Sequence, residues 1–271
     1  MGSDYGHQLI KVRTYGTVGR TVVVLHGGPG APGYMAPVAR QLAGSFRVLE
    51  PLQRGSGKKP LTVAKHVDDL HEVLTTQCAA ERPALVGHSW GAMLALAYAA
   101  EHPGQVESIV LIGCGTFDTA ARERLQEIRD ERMDENLRQR LKHLETEISD
   151  PDERLAAMGE IMGSLDSYDA IPSGEEPVSF DLRAHEESWH DMIRLQKEEI
   201  YPRAFGDISV PVIMLHGAYD PHPGSMIRDG LKPFLPQLEY REWERCGHYP
   251  WLEREVRDEF LDVLKEWLSP H

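Results

Sequence analysis

Cysteine is scarce in this chain, which has three among its 271 residues, Cys78, Cys114 and Cys246. Their number is odd, and no two of them have the C-x-x-C spacing of redox and zinc motifs. We therefore expect neither a disulfide framework nor a zinc site, and the residues indicate no metal ligands. Three reduced thiols are typical of a cytoplasmic protein.

Long apolar segments are also missing, as is an excess of positive charge. No segment approaches the roughly 20 apolar residues that a membrane helix needs. Residues 1–7 contain neither a basic region nor a long apolar stretch, so we expect no secretory signal. The formal net charge of -14 disfavours binding to nucleic acid or to an anionic membrane surface. The sequence predicts a cytoplasmic protein that acts on a small molecule or a short peptide, and it indicates no particular oligomeric state.

Short apolar runs and helix-like stretches alternate in the first part of the chain. The run at 21–26 is almost continuously apolar, as in a strand that is buried on both faces. Alternation of this kind predicts an α/β fold with a mostly parallel central sheet and helices on both faces. The candidate strands of this part are 21–26, 46–50, 84–86 and 108–112, and the candidate helices are 34–42, 63–78 and 92–102.

Charged, helix-periodic sequence then replaces the alternation for nearly ninety residues. Strand character resumes at 211–216 and at 238–243. We therefore predict an α/β core that is interrupted by an inserted helical cap. The predicted parts are a core formed by residues 1–117 and 207–271 and a cap formed by residues 118–206.

The most informative motif is Gly87-His88-Ser89-Trp90-Gly91, which lies between a candidate strand and a candidate helix. Glycines on both sides of a sharp turn let the strand and the helix pack closely, and the turn presents the Ser89 hydroxyl. A helix N-terminus directs free N–H groups and a partial positive charge at whatever reacts there. Ser89 is the candidate nucleophile.

Three further segments follow candidate strands and carry groups that a nucleophilic serine needs. The glycine-rich turn at 26–30 can bring backbone N–H donors to a developing oxyanion, although it could also be an ordinary turn. Asp220 can orient a histidine, although an aspartate ahead of Pro221 could also serve as a turn residue. His248 follows the strand at 238–243, and histidine titrates near neutral pH as a general base must.

Together these segments resemble the α/β-hydrolase superfamily, and within it the proline iminopeptidase group and its esterase-like relatives. The resemblance spans essentially the whole chain. The matching motifs are H-G-G-P-G at 26–30, G-H-S-W-G-A at 87–92, H-G-x-x-D at 216–220 and C-G-H at 246–248. It implies that Ser89 is the nucleophile, His248 the general base and acid, and Asp220 the residue that orients it. The resemblance further implies an oxyanion hole formed by the backbone N–H groups of Gly28 and Trp90, and no cofactor.

The chain departs from the peptidase pattern in one loop. Those peptidases usually carry an aspartate ahead of an arginine-glycine pair, in the pattern D-x-R-G. This chain has Leu52-Gln53-Arg54-Gly55 there, so the aspartate is missing. We interpret Gln53 and Arg54 as structural loop residues. The peptidases also need cap carboxylates for the free amine of the substrate. Candidate substrate-binding residues are Glu186 and Glu187 in the cap, with His26 and Gly27 in the core, although cap acids are also typical of a solvated helix face.

We therefore predict a serine hydrolase that cleaves an ester or an N-terminal peptide bond through an acyl-enzyme. Serine at position 89 excludes the dehalogenase and epoxide hydrolase reactions of this fold, which use an aspartate there. Three hypotheses stay open: a proline iminopeptidase-like aminopeptidase, a carboxylesterase or lactonase acting on small esters, and a ligand sensor with slow turnover. The H-G-G-P-G motif favours the first, and the missing loop aspartate favours the second.

Overall fold

The structure is a computed structural model that describes residues 10–78, 81–174 and 179–269. Residues 1–7, on which we expected no secretory signal, lie outside these ranges. Among the helices in the described ranges, none combines the length and the apolar character needed to cross a membrane.

One seven-stranded sheet organises the described chain, in the order β1-β3-β2-β4-β5-β6-β7. Its strands are β1 Val12–Tyr15, β2 Thr21–Leu25, β3 Arg47–Pro51, β4 Ala84–His88, β5 Ile109–Ile112, β6 Val212–Gly217 and β7 Leu238–Trp243. All neighbours pair in parallel except β1, which runs antiparallel to β3. The predicted α/β class, with a mostly parallel sheet, is confirmed.

Helices cover both faces of the sheet, so the central strands are buried along their whole length. Because successive strand residues point to opposite faces, Val22 packs in one buried cluster with Phe260, and Val23 packs in the other with Leu94. The covering helices are α1 Ala36–Leu42 and α9 Arg257–Leu268 on one face, and α2 Val63–Gln77, α3 Trp90–Glu101 and α8 Gly224–Leu231 on the other.

Four helices lie between β5 and β6, in the region predicted to be the cap: α4 Thr119–Arg132, α5 Glu135–Glu147, α6 Pro151–Leu165 and α7 Leu182–Lys197. Each is preceded by an aspartate whose side chain accepts a first-turn N–H. These aspartates are Asp118, Asp134, Asp150 and Asp181. Helix α7 buries a stripe with a spacing of four residues, Ala184, Ser188, Met192 and Gln196. The division into core and cap stays a prediction.

The edge strand β1 is an element that the sequence pattern did not predict. Its residues Val12–Tyr15 are partly or fully exposed, and they show no continuous apolar run. The strand forms because β3 offers a free edge, to which Val12 pairs opposite Pro51 and Tyr15 opposite Val48. Such pairing depends on a distant partner and leaves no local signal.

We expect burial in β2 to dominate the effect of shortening a valine. Val23→Ala removes two methyl groups from a fully buried position, and should lower the free energy of unfolding by about 2 kcal/mol. Val18→Ala makes the same change at a side chain that is 59% exposed, and should alter it by less than about 0.5 kcal/mol. Urea unfolding followed by circular dichroism measures both values, and equal losses would contradict the described packing.

Candidate active site

Ser89 lies on the sharp turn between β4 and α3, with φ 53 and ψ -116. Positive φ is costly for a residue with a side chain, so this turn stores strain that the surrounding packing must hold. The two flanking glycines make that packing possible. A Cβ on Gly87 would lie 2.3 Å from the Gly91 carbonyl oxygen, and one on Gly91 would lie 2.2 Å from the Leu25 carbonyl oxygen.

Asp220 and His248 meet at the carboxyl ends of β6 and β7. The Nδ1 of His248 lies 2.6 Å from Oδ2 of Asp220, and both side chains are buried. Because an ionised carboxylate only accepts, the Nδ1–H of His248 donates, which leaves Nε2 with a free lone pair. Burial alone would raise the pKa of Asp220, but His248, His222 and His216 around it hold that pKa well below its usual range.

Gly113, directly after β5, lies against this pair. A Cβ at this position would be 2.9 Å from Nδ1 of His248 and 3.2 Å from Oδ2 of Asp220. Its φ of 49 also favours glycine. Sequence analysis missed this residue, although its place was a signal: it follows a predicted strand, as the loops of Ser89, Asp220 and His248 do.

The loop after β2 lies against the serine, since a Cβ on Gly27 would come 2.8 Å from Cβ of Ser89. His26 orients this loop. Its Nε2 accepts the N–H of Gln53 at 3.1 Å, so its Nδ1 carries the proton and donates to the Gly27 carbonyl at 2.9 Å. Burial lowers the pKa of His26 to about 4, so the ring is neutral near pH 7.

The peptide bond between Gly27 and Gly28 is thereby fixed in direction. In a trans peptide the carbonyl and the N–H point opposite ways, so the Gly28 N–H is directed away from His26. The N–H of Trp90 lies at the start of α3. Within residues 10–78, 81–174 and 179–269, neither N–H donates to a protein acceptor.

Gln53 joins the two segments that carry these donors. Its side-chain Nε2 donates to the His26 carbonyl at 2.8 Å, and its Oε1 accepts the indole N–H of Trp90 at 2.9 Å. The side-chain amide of Gln53 thus serves as a donor and an acceptor at once, which an ionised carboxylate cannot do. Arg54 beside it pairs with Asp69 at 2.7 Å.

A second network, which the sequence analysis did not predict, connects the Gly27 loop to the His248 loop. The Gly27 N–H donates to the Tyr34 hydroxyl at 2.6 Å, and that hydroxyl lies 2.6 Å from Nδ1 of His88. The Nε2 of His88 is 2.9 Å from the His248 carbonyl, which can only accept. His88 therefore carries its proton on Nε2, and burial lowers its pKa well below the usual value.

Asp220, His222 and His248 also form a group of potential metal ligands, with one ligand atom of each within 4.8 Å of the others. Both histidines place Nδ1 at hydrogen-bond distance from the Asp220 carboxylate. Hydrogen bonding accounts for this arrangement, and the predicted chemistry assigns no metal to it.

The cap glutamates predicted to bind substrate have other surroundings in the structure. The Glu187 carboxylate accepts the Leu61 N–H at 2.8 Å and pairs with Arg183 at 2.7 Å. Glu186, one residue earlier, is exposed. Contact of either with substrate stays a prediction, as do the substrate contacts of His26 and Gly27.

Comparison with known proteins identifies the family of this chain. The alpha/beta hydrolase family matches residues 22–263, which is most of the chain. A proline iminopeptidase of Lactobacillus crispatus is 26% identical over 300 aligned positions, covering 100% of this chain and 96% of that protein.

Solved structures resemble the described fold at lower sequence identity. A thermophilic esterase from Thermogutta terrifontis superposes with a TM-score of 0.64 at 18% identity, covering 96% of this chain and 92% of the other. The enol-lactonase from Burkholderia xenovorans gives a TM-score of 0.63 at 18% identity, covering 96% of each chain. At these identities the two structures establish the fold alone.

Gly113→Ala tests the close approach beneath the His248 and Asp220 pair. The new Cβ must displace a ring or a carboxylate, so we expect hydrolysis of a p-nitrophenyl ester to fall on the order of 10²-fold. Gly104→Ala is the matched control, because its φ is 77 and a Cβ there meets nothing within 4 Å. Both variants place an alanine at positive φ, so similar losses of activity would show that backbone strain, and not the displaced pair, is responsible.

Proposed function

The chain is a hydrolase of the alpha/beta hydrolase family, and on this premise we propose that Ser89, His248 and Asp220 form its catalytic triad. The observation that carries the proposal is the 2.6 Å contact between His248 Nδ1 and Asp220 Oδ2, at the same sheet edge as the strained serine turn. The bond cleaved is an ester or an N-terminal amide of a small molecule or a short peptide.

The first half of the reaction acylates the serine. Nε2 of His248 takes the proton from Ser89 Oγ while that oxygen bonds to the substrate carbonyl carbon. The carbonyl oxygen becomes an oxyanion, which the N–H groups of Gly28 and Trp90 stabilise. His248 then passes the proton to the leaving nitrogen or oxygen, and the bond from carbon to that atom breaks.

Water completes the cycle by the same steps in reverse order. His248 takes a proton from water, whose oxygen bonds to the acyl carbon, and the second oxyanion occupies the same two N–H donors. Collapse breaks the ester to Ser89, and His248 returns the proton to Oγ. Asp220 keeps its charge throughout and stabilises each imidazolium.

An N-terminal amide is the first candidate substrate class. Its support is the full-length similarity to a proline iminopeptidase, together with the glycine-rich loop that carries Gly28. A small ester is the second candidate, favoured by Leu52 and Glu187. Leu52 stands where the peptidase pattern has its aspartate, and both oxygens of Glu187 already have partners.

Ser89→Ala should abolish hydrolysis of p-nitrophenyl acetate, because the variant lacks the atom that forms the acyl-enzyme. Ser225→Ala, at an exposed position in α8, serves as the control and should keep the wild-type rate. Circular dichroism should show the same fold for both. Activity of the Ser89 variant within tenfold of the wild type would contradict the mechanism.

A pair of amides that differ only at the amine separates the two substrate classes. We expect turnover of proline naphthylamide, and roughly 10²-fold lower kcat/KM for the N-acetylated amide, since an aminopeptidase loses a charged hydrogen bond with it. Steady-state kinetics with both amides and with p-nitrophenyl butyrate measure the difference. Turnover of the ester with neither amide cleaved would identify an esterase instead.

A further inference from the structure

A second histidine, which the mechanism above does not use, is bonded to the carboxylate of Asp220. The ring Nδ1 of His222 lies 2.8 Å from Oδ1 of Asp220, and the His222 backbone N–H donates to the same oxygen at 2.9 Å. His248 bonds to the other oxygen, Oδ2. The two carboxylate oxygens are therefore divided between two histidine rings.

The rings of His222 and His248 stack on each other, with centroids 4.5 Å apart and planes inclined by 16°. Both direct Nδ1 to Asp220, so each leaves its Nε2 free of the carboxylate. The stack holds His248 from the face of its ring, while Asp220 holds it at its edge.

The backbone fixes His222 in this place without help from a substrate. Prolines at 221 and 223 restrict the chain on both sides of it. His216, at the end of β6, donates its Nε2–H to the His222 carbonyl at 2.8 Å. Burial lowers the pKa of His222 against the opposite effect of Asp220, so the ring is a neutral donor.

We propose that His222 is a positioning residue that occupies Oδ1 of Asp220, so that Oδ2 alone is offered to His248. This inference rests on the triad assigned under the proposed function. Rotation of the carboxylate would break both hydrogen bonds to Oδ1, whereas without the ring only the bond from the backbone N–H opposes it. The Nδ1–H of His222 also offsets part of the negative charge of the carboxylate. Asp220 therefore stabilises a protonated His248 less than it would without this donor.

A third histidine lies near this carboxylate but does not donate to it. His216 is 3.5 Å from Oδ2 but directs its Nε2–H to a carbonyl. The ionisable groups that act on His222 or Asp220 from the elements packed around them are His88 in β4, Arg129 in α4, Cys114 after β5, His216 in β6, Tyr240 in β7, and Cys246, His248 and Tyr249 after it.

Two substitutions at this position separate the hydrogen bond from the ring. His222→Phe keeps a ring beside His248 but removes the Nδ1–H donor. His222→Asn removes the ring but can place an amide N–H where Nδ1 was. With a p-nitrophenyl ester, we expect the phenylalanine variant to lose about tenfold in kcat, and the acidic limb of its kcat/KM profile to rise by about one pH unit. The asparagine variant should stay within about twofold of the wild type on both measures.

A second readout does not depend on turnover. In a Ser89→Ala background, NMR of the imidazole protons follows the pH at which His248 takes up a proton. That midpoint should rise by about one unit with His222→Phe and stay in place with His222→Asn. If the phenylalanine variant does not fold, His222→Leu takes its place in both measurements.

The outcomes distinguish this inference from the proposal on which it rests. An unchanged midpoint in the phenylalanine variant, or an asparagine variant that behaves like it, overturns the role of His222 alone. Wild-type hydrolysis by Ser89→Ala overturns the triad, and the positioning role in catalysis with it.

Discussion

The buried negative charge of Asp220 is the constraint on which the site depends. A carboxylate removed from water is costly unless hydrogen bonds and neighbouring groups offset the loss of solvation. His248 and His222 supply those bonds, one to each carboxylate oxygen. The space that they need exists because Gly113 has no side chain. A parallel sheet provides all these groups at one edge, since β5, β6 and β7 end there together.

The hydrogen-bond partners of the histidine rings near that charge determine which ring nitrogen carries the proton. His26 holds its proton on Nδ1 and His88 on Nε2, because each faces a carbonyl with that atom. Burial lowers the pKa of both, so neither competes for a proton near neutral pH. Under the proposed mechanism, His248 is the base of the site, because Asp220 holds its Nδ1–H and its Nε2 has no hydrogen-bond partner among the described residues. Because His26 and His88 stay neutral, His248 can be the ring that carries the proton in the proposed mechanism.

Helices α6 and α7, in the region predicted to be the cap, contact the core through backbone groups and acids. The Asp166 carbonyl, at the end of α6, accepts the His248 N–H at 2.9 Å. Three acids of α7 and its cap bond backbone N–H groups of the core: Asp181 to Ser56, Glu187 to Leu61 and Asp191 to Val63. These three carboxylates therefore hold α7 against the core, although a count of acids would suggest them as partners for a substrate amine.

The sequence by itself determined the parts that have local patterns. Continuous apolar runs predicted β2 and β4, and the order of Ser89, Asp220 and His248 after strands predicted which residues to bring together. Tertiary structure decided what depends on pairs far apart in the chain: β1 on the edge of β3, Gly113 beneath the histidine, and the bridge from Gln53 to Trp90. A strand or a turn is encoded by neighbours in sequence, whereas a close approach between two loops exists only after the sheet has aligned them.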